Sequence, residues 1–258
     1  MTRPGIERVR GVYVLIDDDP RWRNDVRAQL EGALSGGASV IQLRSKHLGD
    51  GDALSLAREA QRRAHEAGAL LFVNDRFDLA LLAGADGVHL GQDDLAPERL
   101  PADARSRLLV GLSTHTLEQV RESRARPVDY IAFGPVFGTA SKTSQYAPRG
   151  LESLREAVAL AGRPLVAIGG ISAANAPDVR ACGAVGGANS SFPASLGPAE
   201  PSSPSGQPFC GRDFSIAATS PFVANALLDF STTNWAAAAA TVPVPAGTTM
   251  ANVTVQNI

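Results

Sequence analysis

The sequence predicts an α/β protein of the TIM (β/α)8-barrel type, and three observations carry that expectation. Short runs rich in Val, Ile and Leu recur along residues 1–184, each followed by a longer stretch of helical period. Seven such units fit at about 25-residue spacing, which suits a barrel better than an open doubly wound sheet. No Gly-x-Gly-x-x-Gly opens a helix after the first run, so the dinucleotide-binding signature is missing.

The strand candidates come in order. Residues 11–17 (GVYVLID), 39–46 (SVIQLRSK), 69–75 (ALLFVND), 87–92 (GVHLGQ), 108–115 (LLVGLSTH), 129–137 (DYIAFGPVF) and 164–171 (PLVAIGGI) are short, largely apolar runs. Strands of that composition are buried on both faces, as in a parallel sheet covered by helices. Between them, 52–67 and 151–161 read as amphipathic helices. Gly68, Gly84 and Gly162 stand where a helix must stop before the next strand.

Composition bounds what the chain can do. A formal net charge of −2 over 258 residues gives no field for general nucleic-acid or membrane binding. Two cysteines, Cys182 and Cys210, are too few for a disulfide framework and lack metal-ligand spacing, which points to a reducing compartment. The first ten residues carry four charges and no apolar segment of signal type, and no apolar run approaches the ~18 residues of a membrane span. The expectation is a soluble, cytoplasmic protein.

The charge is unevenly spread. Residues 1–184 hold 23 of the 24 Lys+Arg and 23 of the 26 Asp+Glu, whereas 185–258 hold only Glu200, Arg212, Asp213 and Asp229, with eight prolines. An ordinary surface is made largely of charged side chains. The chain therefore divides into a barrel domain, 1–184, and an atypical low-charge tail, 185–258. Within the tail much of 186–219 is expected to be disordered, Ser220-Pro221 to start a helix over 222–230, and 250–258 to form a strand.

In a barrel of this kind the carboxyl ends of the strands carry the chemistry. Here six of those ends are polar. Gln42, Arg44 and Lys46 are spaced two apart, so a strand points all three the same way, and two cations with an amide suit a di- or triphosphate. A solvated strand end is the plainer alternative. Asp75 and Asp94, with Asn74 beside them, suit Mg²⁺ shared with a substrate phosphate; each could equally cap a helix or turn, Asp75 one beginning at Arg76. Thr139, Ser141 and Lys142 in a Gly-containing loop suit phosphate oxygens, and Gly169-Gly170 would let backbone N–H groups approach a phosphate, although a plain loop and a tight turn explain them as well. Ser113 reads as a hydrogen-bond donor rather than a nucleophile. His89, mid-strand, reads as a core histidine, and His47, His65 and His115 show no zinc spacing with it.

Taken together, GASVIQLRSK, FVNDRFDLALLAGADGVHLGQDDL, VGLSTHT, YIAFGPVFGTASK and PLVAIGGI resemble the thiamine-phosphate synthase family, over roughly residues 11–184. The resemblance implies a TIM barrel, Mg²⁺, and the joining of a pyrimidine diphosphate to a thiazole phosphate with release of pyrophosphate. It implies that Gln42, Leu43, Arg44, Ser45 and Lys46, with Asn74, Ser113 and Lys142, hold the pyrimidine diphosphate. Asp75 and Asp94 would bind the metal, and Thr139, Ala140 and Ser141, with Gly170, the thiazole phosphate. Ser45 stands where the family usually has an acidic or other polar residue. The implied reaction is dissociative, with diphosphate leaving before the thiazole nitrogen attacks. It needs charge neutralisation, for which Arg44, Lys46 and Lys142 are the catalytic candidates, rather than a protein nucleophile.

The resemblance breaks down after Gly183-Ala184. The following residues, VGGANSSFPASLGPAEPSSPSGQPFC, contain no strand-length apolar run, so the eighth β/α unit is expected to be missing or replaced. The abruptness is that of a frameshifted or spliced-in terminus, which reading the gene in its other frames past the Ala184 codon tests. Two further readings follow: a thiazole-tautomerase-like barrel, or an inactive phosphate-binding barrel whose carboxyl end is altered.

Overall fold

The computed structural model describes residues 5–20, 22, 25–138, 146–189, 241–242 and 253–254. The apolar runs become parallel strands: β1 (Gly11–Asp17), β2 (Val40–Arg44), β3 (Leu70–Asn74), β4 (Gly87–Leu90), β5 (Leu109–Thr114), β6 (Tyr130–Phe133) and β7 (Leu165–Ile168). Helices α1 (Val26–Ser35), α2 (Asp50–Glu66), α3 (Phe77–Ala83), α4 (Ala102–Arg107), α5 (Leu117–Ser123), α6 (Gly150–Ala161) and α7 (Ala176–Ala181) alternate with them. Gly84 and Gly162, just past α3 and α6, and Gly68, two residues past α2, take positive φ as helix stops do.

The sheet closes. An eighth strand, β8 (Gly186–Asn189), pairs with β7 and with β1, so the strand order runs β1 to β8 around a complete barrel. Of the two expected outcomes, a missing or a replaced eighth unit, the missing strand is corrected: residues of the atypical tail form it. The expectation looked for apolar side chains, but a strand between two partners is held by its backbone ladder. Gly186 has a steric reason as well: a Cβ there would lie 2.9 Å from the Gly11 carbonyl oxygen. A helix after β8 and the predicted 222–230 helix lie outside the described residues. Thr241–Val242 and Val253–Thr254 pair antiparallel, the second lying within the predicted 250–258 strand.

Strand parity sorts the side chains into two cores. Outward residues such as Val14, Ile41, Leu43, Leu71, Val88, Leu112 and Ile131 pack against the helices, while Tyr13, Val40, Leu70, Phe72, Leu109, Tyr130 and Val166 fill the barrel. Helix α2 shows the matching stripe, burying Ala53, Leu56, Ala57, Ala60 and Ala64 at helical spacing. The inner core is aromatic, with the Phe72 and Tyr130 rings edge to face at 5.4 Å. Burying rings of this size contributes about 2–3 kcal/mol each. They fit because β4 and β5 offer glycines: a Cβ on Gly87 would strike the Phe72 ring, and one on Gly111 the Tyr130 ring. Among the described residues no helix is long and apolar enough to cross a membrane.

Candidate active site

Parity fixes which residues reach the interior. On β2, Val40 faces inward, so Gln42 and Arg44 do too, while Leu43 faces the helices and is buried among them. Leu43 therefore lies along the rim by its backbone alone. Gln42 donates from Nε2 to the Tyr13 hydroxyl at 2.7 Å. The Arg44 guanidinium, at the strand end, donates to Asp17 Oδ2 at 2.7 Å.

The strand stops at Arg44, and Lys46 belongs to the loop that follows. That loop is gripped by Asp18, whose carboxylate accepts from Ser45 Oγ at 2.7 Å and from the N–H groups of Lys46, His47 and Leu48 at 2.8, 3.0 and 2.9 Å. Burial works to raise the Asp18 pKa, but these hydrogen bonds outweigh it and hold the group below the usual carboxylate range. So gripped, Lys46 reaches across to β3 and donates its ammonium to Asp75 Oδ2.

Asp75 is not a helix cap. The N-cap of α3 is Arg76, with no side-chain capping bond, and the Asp75 carboxylate instead takes Lys46 and Asn74 Nδ2 (2.9 Å). Its backbone sits at φ 62°, the left-handed region, while its N–H donates to the His89 carbonyl at 2.8 Å. Asp94, after β4, accepts from the Gly91 N–H at 2.7 Å and meets Asp75 within hydrogen-bond reach. Burial and the neighbouring Asp94 push the Asp75 pKa up to about 6, against the pull of Lys46. For Asp94 burial is outweighed by the hydrogen bond from Asp75, the Gly91 N–H and the charge of Lys46, and its pKa falls.

The pair has the chemistry of a divalent-cation site. Two hard carboxylates in contact, one of them driven toward its protonated form, favour a compact cation between them. Among the described residues no group of three or more His, Cys, Asp or Glu forms a complete cage. Two protein carboxylates plus phosphate oxygens is the set Mg²⁺ takes in phosphate-transfer sites, so these residues fit the ion.

Ser113 arrives from β5, with its Oγ 2.9 Å from His89 Nε2; the histidine's Nδ1 lies 2.8 Å from the Tyr130 hydroxyl. His89 is thus a buried, hydrogen-bonded core residue. Gly169 and Gly170 have a packing reason to be glycine, since Cβ atoms there would lie 2.6 Å from Pro135 Cα and 2.4 Å from the Gly138 carbonyl oxygen. Thr139, Ala140, Ser141 and Lys142 lie outside the described residues. Of the remaining sequence-derived set, Gln42, Arg44, Ser45, Lys46, Asn74, Asp75, Asp94 and Ser113 belong to the carboxyl ends of β2 to β5 and the loops after them.

The sequence profile of the thiamine monophosphate synthase family matches residues 12–191, more than half of the chain and including β8. The chain belongs to the thiamine monophosphate synthase family. A thiamine-phosphate synthase of Synechococcus is 46% identical over 156 residues, 60% of this chain and 44% of the relative. The thiamine-phosphate synthase of Chloroflexus aurantiacus is 41% identical over 175 residues, 68% of this chain and 81% of the relative. The match therefore spans less than half of the Synechococcus protein but most of the Chloroflexus one. Among solved structures, a thiamine phosphate pyrophosphorylase from Pyrococcus furiosus superposes with a TM-score of 0.62 at 34% identity, covering 71% of this chain and 86% of that one.

In this member of the thiamine monophosphate synthase family, sequence reasoning missed Asp17 and Asp18, which hold Arg44 and the loop carrying Lys46. The signal was available: three consecutive aspartates, Asp17 to Asp19, stand at the carboxyl end of β1, the one early strand end not counted among the polar ones.

Proposed function

We propose that the chain is a thiamine-phosphate synthase, joining 4-amino-2-methyl-5-(diphosphooxymethyl)pyrimidine to thiazole phosphate and releasing pyrophosphate. The observation that carries this reading is the junction of Lys46 with Asp75 and Asp94, a cation and two carboxylates gathered at the rim. In the reaction the bond between the pyrimidine methylene and the diphosphate oxygen breaks, and its electron pair leaves with the diphosphate. The thiazole nitrogen then donates its lone pair to form the new C–N bond.

Arg44 and Lys46 would offset the charge growing on the leaving diphosphate, which is the main catalytic demand of such a step. Asp75 and Asp94 would hold Mg²⁺, which supplies further charge neutralisation when bound. Gln42, Asn74 and Ser113 would orient the pyrimidine. Lys142 would join the diphosphate, while Thr139, Ala140 and Ser141, with Gly170, would take the thiazole phosphate. A cytoplasmic location belongs to the same reading.

A tautomerase-like barrel needs no diphosphate machinery, so the Lys46, Asp75 and Asp94 group counts against it. The inactive reading rests on the altered carboxyl end; β8 restores the eighth strand, while the residues that follow it lie outside the described residues. Pyrophosphate release from the two substrates with and without Mg²⁺ tests the proposal. Release that depends on both substrates and the metal is expected; selective binding of the pyrimidine diphosphate without release would favour the inactive barrel.

A further inference from the structure

Beneath the rim, five side chains from five strands join end to end. Gln42 Nε2 donates to Tyr13 Oη at 2.7 Å, and the Tyr13 and Tyr130 hydroxyls lie 2.8 Å apart. Tyr130 Oη meets His89 Nδ1 at 2.8 Å, and His89 Nε2 meets Ser113 Oγ at 2.9 Å. Gln42, Tyr13, Tyr130 and His89 are all at least 95% buried, and among the described residues neither imidazole nitrogen hydrogen-bonds a carboxylate; burial outweighs the charge of nearby Asp94 and holds the His89 pKa low. A buried ring held by two hydroxyls is neutral. Gly111 makes the central junction possible, since a Cβ there would lie 2.3 Å from the Tyr130 ring and 2.5 Å from His89 Nδ1.

Counting protons fixes the direction of the chain. An amide N–H can only donate, so the Tyr13 oxygen accepts and its single proton goes on to Tyr130. Tyr130 then passes its own proton to His89 Nδ1, which must be bare. The neutral ring carries its proton on Nε2 and donates to Ser113 Oγ. Ser113 accepts from below and keeps its own proton for a ligand, while Gln42 keeps its carbonyl oxygen. Turning the Gln42 amide over would reverse every bond and spend the Ser113 proton on His89. The amide orientation at one end and the donor state at the other are therefore a single variable.

We propose that Tyr13, Tyr130 and His89 are positioning residues that lock Gln42 as an acceptor and Ser113 as a donor, so that the site reads the amino edge of a pyrimidine and rejects its oxo counterpart. An aminopyrimidine offers an N–H donor and a bare ring nitrogen, complementary to the Gln42 acceptor and the Ser113 donor. A 4-oxopyrimidine offers the opposite pair, C=O beside N–H, and meets like with like. The substrate assignment rests on the synthase reading above; the direction of the chain does not.

Two measurements test this in the full-length protein. Imidazole ¹⁵N chemical shifts of wild type should show His89 as the Nε2–H tautomer, and in Tyr13→Phe a mixture of tautomers. Calorimetric binding should favour the 4-amino pyrimidine diphosphate over its 4-oxo analogue in wild type, and Tyr13→Phe should reduce that preference by about a hundredfold, in the range lost when a site built on hydrogen bonds loses their fixed sense. A merely structural tyrosine would weaken both ligands alike. A wild-type Nδ1–H tautomer, or a preference unchanged in Tyr13→Phe, overturns the proposal. Selective binding without pyrophosphate release would instead count against the synthase reading and leave the chain standing.

Discussion

The Asp18 carboxylate accepts the backbone N–H of Lys46 at 2.8 Å and thereby sets where the Lys46 ammonium begins its reach to Asp75. One carboxylate at the end of β1 thus fixes a cation that follows β2. Asp18→Asn keeps the shape but leaves one acceptor oxygen for four donors. Loss of hydrogen bonds to a charged acceptor predicts a cost of about 1–3 kcal/mol in unfolding free energy and a weaker grip on a diphosphate. Denaturant unfolding with calorimetric titration of the pyrimidine diphosphate checks both, and an unchanged affinity would detach Asp18 from the site.

The same group makes a signed pH prediction. The folded pKa of Asp18 lies below its unfolded value, so the unfolded state binds more protons between the two. Its stabilisation is fully present above the unfolded value, about 3.9, and is lost as pH falls through the folded value. Acid unfolding curves of wild type and Asp18→Asn should therefore converge at low pH and separate above about pH 4. Curves that stay parallel throughout would show the loop bonds to be independent of the charge.

Asp75 combines a functional carboxylate with a left-handed backbone at φ 62°. Asp75→Ala and Asp75→Gly both remove the carboxylate and should both abolish Mg²⁺-dependent pyrophosphate release. Only alanine keeps the Cβ that this backbone disfavours, so the glycine variant should be more stable than the alanine variant by about 1 kcal/mol. Asp94→Ala should lose the same turnover without any such backbone difference. Equal stability of the two Asp75 variants would mean that the backbone relaxes once the carboxylate is gone.

Seven strands were legible because Val, Ile and Leu runs report burial on both faces, and 11–17 matches β1 at both ends. β8 was not, because its residues contribute backbone and little side chain; Gly186 and Gly187 carry no apolar signal to read. Within the site, the even spacing of Gln42 and Arg44 gave their shared face, but it also suggested that Lys46 continues the strand. It does not, and its placement comes from Asp18, a partner 28 residues away that no local pattern announces. Asp75 was ambiguous for the opposite reason: an aspartate before a helix looks like a cap, and only tertiary contacts with Lys46 and Asp94 decide otherwise.

Leu43 and Arg44 are neighbours on opposite faces of β2, and their variants should separate fold from site. Leu43→Ala empties a buried position between sheet and helices and should cost about 2–5 kcal/mol. Arg44→Ala removes one half of a largely buried ion pair with Asp17 and should cost about 1–3 kcal/mol in stability. Its loss of diphosphate affinity should nevertheless exceed that of Leu43→Ala by at least about tenfold, since a charged hydrogen bond to phosphate is lost. Thermal unfolding and ligand titration on both variants check the contrast, and the reverse ranking would mean that the strand faces have been exchanged.

Gly111 is the position where packing and site chemistry meet most closely. A methyl group there would lie 2.3 Å from the Tyr130 ring and 2.5 Å from His89 Nδ1, so one or both must move. Overpacking of this kind costs about 1–3 kcal/mol, and here it also parts the hydroxyl from the imidazole. Gly111→Ala should therefore lower the unfolding midpoint and, unlike an outward variant of equal cost such as Val110→Ala, change the ¹⁵N shifts of His89. Val110 faces the helices one residue away, so a general loosening of β5 would affect the two variants alike. If both leave His89 unchanged, the steric clash is absorbed by the Tyr130 ring alone and the junction survives.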